Sequence, residues 1–86
     1  MADIVQLLIK KGTDLNIKDN GGWSVLIGAA YIGYIDSTKL LIDGGADLNL
    51  KDNEGKTALV HTAVMGHTAT AKLLMDAGKC IYLHIK

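Results

Sequence analysis

The sequence predicts an all-α solenoid of stacked helix–turn–helix repeats joined by β-turn or hairpin-like loops. Three observations predict it. Shifting the chain by 33 residues superimposes 12 of the 20 residues from position 3 to 22 on identical ones, among them Leu7-Leu8-Ile9, Gly12, Asp14-Leu15-Asn16 and Lys18-Asp19-Asn20, the mark of a repeat architecture. Each unit holds two short apolar stretches closed by glycine, at lengths that do not persist as isolated helices in water. Each stretch therefore has to be buried against its neighbours.

The elements come in chain order. Ile4–Ile9 is an apolar helical stretch with Val5, Leu7 and Leu8 around more than half of its girth, and Gly12 comes after it. Val25–Ile32 and Ala58–Met65 are equivalent first helices. Ser24 and Thr57 stand where a hydroxyl caps the first free N–H groups, and Gly33 and Gly66 stand where a left-handed residue ends a helix. The second helices run roughly over Asp36–Asp43 and Ala69–Asp76, with Leu40-Leu41 and Leu73-Leu74 inward, and Gly45 and Gly78 close them. Between units, Leu48 and Leu50 alternate with Asp47, Asn49 and Lys51 before an Asn-Glu-Gly tip, a pattern of two that reads as a hairpin-like loop. Small Ala29, Ala30 and Ala63 allow helix pairs to stack closely. The last segment, Cys80–Lys86, alternates Ile81, Leu83 and Ile85 with Tyr82 and His84 and reads as an unpaired strand.

A helix–turn–helix and loop repeating at 33 residues resembles the ankyrin repeat over essentially the whole chain. The residues that carry the resemblance are Asp19-Asn-Gly-Gly-Trp-Ser-Val-Leu, Ala29-Ala30, Gly33, Leu40-Leu41 and Gly45-Ala-Asp-Leu-Asn, which recur as Asp52-Asn-Glu-Gly-Lys-Thr-Ala-Leu, Ala63, Gly66-His67 and Leu73-Leu74. The family's T-P-L-H tetrapeptide is replaced by Ser24-Val-Leu-Ile and Thr57-Ala-Leu-Val. Its proline and histidine are missing, which implies lower stability than an array that has them. The resemblance divides a single domain, residues 1–86, into a partial repeat (1–18), a full repeat (19–51) and a last repeat with a divergent tail (52–86). It implies a non-catalytic protein–protein interaction module, a scaffold that displays loop tips and a concave helix face to a protein partner. Carried onto this sequence, the binding positions are Asn20, Gly21, Trp23, Tyr31 and Ile32, then Asn53, Glu54, Lys56, Val64 and Met65, with Lys18 and Lys51 at the flanks. Trp23 and Tyr31 stand where the next unit has Lys56 and Val64, so the scaffold itself does not require aromatics there. Either Trp23 packs on its own loop, or it forms with Tyr31 the aromatic centre typical of an interface.

Composition narrows the function. Nine Lys balance eight Asp and one Glu, which leaves no basic footprint for nucleic acid or an acidic membrane. There is no Arg, so the fork that grips phosphates and guanine in two places is absent. No apolar run approaches a membrane span, and the start lacks the features of a secretory signal. A single cysteine, Cys80, fits a reducing compartment. The expectation is an intracellular protein, cytoplasmic with the nucleus not excluded. The four-residue spacing of Cys80 and His84 lacks the second pair that structural zinc needs. His61 reads as a packing residue and His67 as a local structural one. Asp14/Asp19 and Asp47/Asp52 recur with the repeat and read as turn and capping groups, and no glycine pattern forms a phosphate loop. The expectation is therefore no enzyme, no metal and no cofactor. Both ends look unfinished, with Ile4 and Leu8 at one and Ile81, Leu83 and Ile85 at the other. The alternative function is an assembly element, or a fragment of a longer array, whose ends pair with another copy into a homo-oligomer.

Overall fold

The computed structural model describes residues 2–85, with side chains over 3–78. Its five helices are α1 (Ala2–Lys10), α2 (Val25–Ile32), α3 (Ile35–Asp43), α4 (Ala58–Met65) and α5 (Thr68–Ile85), and no strand occurs among the described residues. They form two layers. In one layer α2 lies against α4, in the other α3 lies between α1 and α5, and the pairs α2/α3 and α4/α5 close as antiparallel hairpins.

Local chemistry sets the ends of α2 and α4 where the sequence placed them. Ser24 Oγ accepts the N–H of Ile27 and Thr57 Oγ1 accepts that of Val60, each at 3.3 Å. Gly33 and Gly66 adopt left-handed φ of 85° and 74°, conformations that cost an L side chain energy. α1 and α3 end alike, with the N–H of Thr13 on Leu8 O (3.1 Å) and of Ala46 on Leu41 O (2.9 Å), while left-handed Gly12 and Gly45 turn the chain away. The apolar faces meet in one core of Val5, Leu15, Leu26, Ile27, Leu41, Leu74 and the small Ala29, Ala30, Ala46 and Ala58, with Leu8, Ile9, Leu40 and Ile42 packed on it. Of the α1 residues expected at an uncovered end, Ile4 and Leu7 are exposed, but Leu8 is turned partly onto the core.

The loops between units are turns without a ladder. Asp19 and Asp52 each open one, with the N–H of Gly22 on Asp19 O and of Gly55 on Asp52 O, both 3.0 Å. Successive turns are laced together. Asn53 N–H reaches Gly21 O at 3.0 Å, Asn53 Nδ2 reaches Asn20 O and Asp47 N–H reaches Asn16 Oδ1, each at 2.8 Å, and Lys18 Nζ reaches Lys51 O at 2.7 Å. These bonds span about one repeat period and set the stacking register.

One expected element is corrected. The tail read as an unpaired strand is helical through Ile85, and Gly78, expected to end the second helix of the last unit, does not. Gly78 lacks the positive φ of the terminating glycines. A strand with no partner leaves its backbone groups unmet, whereas a helix satisfies its own. The alternation of Ile81, Leu83 and Ile85 therefore lost to backbone satisfaction. The side chains of these three, and of Cys80 and His84, lie outside the described residues.

Candidate functional site

The site is assembled by the loop turns. Asp19 Oδ1 accepts the N–H groups of Gly21 and Trp23, both at 2.9 Å, and the N–H of Asp19 donates back to Trp23 O at 3.0 Å. Trp23 is thereby fixed at the entrance of α2. One period later Asp52 repeats the arrangement, with Oδ1 accepting from Glu54 and Lys56 at 2.9 Å. Asp14 and Asp47 make smaller turns, receiving the N–H of Asn16 and Asn49 at 2.9 and 2.8 Å. The recurring carboxylates are scaffold groups, as their repetition implied.

From this frame three rings converge. Trp23, half-buried, packs against Tyr31 of α2 with centroids 5.0 Å apart and planes at 63°. The ring of His61, from α4 of the next repeat, lies 4.7 Å from Trp23 and 5.7 Å from Tyr31. His61 is only 5% exposed. Its Nε2–H donates to Asp52 Oδ2 at 2.8 Å, since a carboxylate turned to receive it can only accept. Three donors thus converge on Asp52. The backbone N–H of Lys56 is the strongest influence, and with the His61 ring and the N–H of Glu54 it holds the carboxyl below its ordinary range, outweighing burial, which acts the other way. The second histidine of the unit, His67, donates through Nε2 to Tyr31 O at 3.0 Å. Its ring lies over Gly33, where a Cβ would come within 2.7 Å of Nδ1. Tyr31 is held at its ring and at its carbonyl by two histidines of the following repeat.

The other residues read from sequence spread around this cluster. Tyr31 is 39% exposed, and Ile32, Val64 and Met65 are open to solvent. Asn20 and Asn53 are bonded to each other at the loop tips, while Glu54 and Lys56 form a loose surface pair at 3.9 Å. The ring of Trp23 packs within the molecule on Tyr31 of its own repeat and on His61 of the next, and its Cδ1 lies 3.5 Å from where a Cβ on Gly21 of its own loop would stand. The Asp52–His61 pair is what the sequence reading missed. The signal was that Asp52 repeats Asp19 whereas His61 stands where the previous unit has Gly28.

Beyond this cluster, a groove of about 460 Å³ runs along the outer flank of α2, lined by Leu8, Leu15, Ile17, Trp23, Val25 and Gly28. A second, of about 470 Å³, lies between α3 and α5 beside Ile42, Leu48 and Leu73. Among the described residues no three His, Cys, Asp or Glu gather to hold a metal ion, and no helix is long and apolar enough to cross a membrane.

Comparison with known proteins agrees with this architecture. A family model described as ankyrin repeats (3 copies) matches residues 1–84. No match is found among curated proteins. Among solved structures, the chain is similar to one in the complex of the Bd0816 predatory endopeptidase from Bdellovibrio bacteriovorus with the immunity protein Bd3460, at 35% identity and a TM-score of 0.83. That match covers 91% of this chain and 40% of the other, so this chain spans less than half the length of its structural relative. With paired helices, left-handed glycine caps and loop turns repeating at one period, and a family match over residues 1–84, the chain belongs to the ankyrin-repeat family.

Proposed function

We propose that the chain is a non-catalytic interaction module that binds a protein partner on the face centred on Trp23 and Tyr31, flanked by Asn20, Ile32, Glu54, Lys56, Val64 and Met65. The observation that carries this reading is the aromatic cluster itself. Two large amphipathic rings are fixed at the surface by turns and by the neighbouring repeat, so they meet a partner with little ordering entropy left to lose. Aromatic anchors of this kind dominate interface energetics. The structural relative comes from a complex of two proteins, which supports the same class of function. His61 is the residue whose pairing with a carboxylate most resembles catalytic chemistry, but its ring is covered by two aromatics and out of reach of a substrate.

The test is affinity capture from a lysate of the source cells with the tagged chain as bait, beside Trp23→Ala and Tyr31→Ala baits checked for helix content by circular dichroism. Loss of a centre of this kind is worth about 2 kcal/mol, so retention of the partner falls roughly tenfold or more. Equal recovery by folded Trp23→Ala and Tyr31→Ala baits would refute this reading. A second reading, pairing of the chain with its own copies, is favoured by Ile4 and Leu7 standing exposed on α1, the helix whose Leu8 lines the groove along α2. In the same capture it yields untagged copies of the chain, unaffected by Tyr31→Ala and lost on Ile4→Lys.

A further inference from the structure

We propose that Asp52 and His61 are the positioning pair of the aromatic face, so that the surface presented by one repeat is set by the repeat after it. The significance of the pair rests on the interaction face proposed above, while its geometry stands apart from it. The Asp52 carboxylate is held in place by the N–H groups of Glu54 and Lys56. Its remaining oxygen receives the Nε2–H of His61 at 2.8 Å, which fixes the rotation of the imidazole. The fixed ring is the surface on which Trp23 and Tyr31 pack. From the same repeat His67 holds the Tyr31 carbonyl, so ring and backbone of Tyr31 are set together.

The repeat scaffold does not need this arrangement. The turn at Asp19 is built with the same two backbone bonds, yet Gly28 stands at the position equivalent to His61 and supplies no ring. The aspartate belongs to the turn in both units, whereas the imidazole is an addition made in one unit only. It is placed where it meets the two aromatics that the neighbouring unit replaces with Lys56 and Val64. Three substitutions against the repeat pattern, at Trp23, Tyr31 and His61, converge with ring centroids 4.7 to 5.7 Å apart. A requirement of the fold would recur with the period, and this cluster does not. Packed rings with fixed rotamers present their exposed edges in one orientation, which removes rotamer freedom before a partner arrives.

The chain has one tryptophan, so its emission reports on Trp23 alone and the test needs no partner. Acrylamide quenching of that emission is measured in the wild type, in His61→Gln (which retains an N–H donor and removes the ring), in Asp52→Asn, and in Met75→Ala as a control at an exposed side chain of α5. For His61→Gln and Asp52→Asn, at temperatures where circular dichroism shows an unchanged fold, the quenching constant rises roughly two-fold as Trp23 gains mobility, and Met75→Ala matches the wild type. A purely structural contribution of His61 would lower the melting temperature and leave quenching below the transition unchanged. That result in folded variants overturns the proposal. If a variant does not fold, the wild type decides by nuclear Overhauser contacts. Cross-peaks between the Trp23 indole and His61 ring protons, with a slowly exchanging Nε2 proton on His61, support the pair; their absence overturns it. Loss of the interaction reading shows instead as unaltered capture by Trp23→Ala, so the two failures are told apart.

Discussion

At the scale of single residues, Asp52 ties its loop to α4 through one carboxylate, and the His61 ring it holds packs on the preceding repeat. Its pKa is lowered in the folded chain, first by the N–H of Lys56 and then by His61 and Glu54. Folding thus favours the ionised form, and the unfolded chain takes up the proton first as pH falls. The stabilisation from Asp52 is complete above the ordinary carboxylate pKa of about 4 and is lost as pH drops through the lower folded value. Asp52→Asn removes this dependence. Equilibrium urea unfolding is expected to show lower stability for the variant at pH 7, with the gap to the wild type closing as pH falls below about 4; a gap that stays constant with pH would contradict the assignment. Asp52 was legible in the sequence as a turn residue, because turn chemistry is local and recurs. Its bond to His61 was not, because nothing in a nine-residue separation says that a helix brings the ring back over the loop. The packing of His61 on Trp23, across the boundary between repeats, was further out of reach.

At the scale of elements, α2 and α4 were readable to the residue because Ser24, Thr57, Gly33 and Gly66 mark both ends with groups whose preference is intrinsic. α5 was not, and Gly78 shows why. A glycine two residues after Asp76 looks like the terminator seen at Gly45, but glycine only permits a left-handed turn. Whether the turn forms is decided by the residues after the glycine. Past Gly45, the N–H of Ala46 bonds back to Leu41 O and closes α3. Beyond Gly78 no loop turn recurs and the helix continues. The two readings predict opposite effects of adding a methyl group. Inside a helix, with no atom within 4 Å of the added Cβ, Gly78→Ala stabilises by about 0.5–1 kcal/mol. At a left-handed terminus the same change would destabilise. A thermal melt that moves upward supports a continuous α5, and one that moves downward returns the chain to a second helix that stops near Asp76.

At the scale of the molecule, two and a half helix pairs do not make an extended rod. The radius of gyration is 12.1 Å and the extents are 29 × 29 × 21 Å, close to the roughly 12 Å of a globular chain of this length. In a stack this short, no unit is stable by itself and interfaces between neighbours decide everything. Among the described helices α3 is the hub, packing on α1, α2 and α5, and Leu41 at its inner face is 0% exposed. Leu41→Ala loosens three interfaces at once. Truncation of a fully buried leucine costs about 2–5 kcal/mol, against a total of about 4–13 kcal/mol for a chain of this length. The melting temperature is therefore expected to fall by roughly 20 °C, whereas Val64→Ala, at a side chain 69% exposed, leaves it within a few degrees. Tracking each melt by helical ellipticity and by Trp23 emission adds a second criterion. Trp23 lies on the α2/α4 layer and Leu41 on the other, so one coupled interior makes the two signals fall together in wild type and variant. If Leu41→Ala melted near the wild type, or if Trp23 were released while the helices stayed intact, the layers would be independent and the reading of α3 as the hub would be wrong.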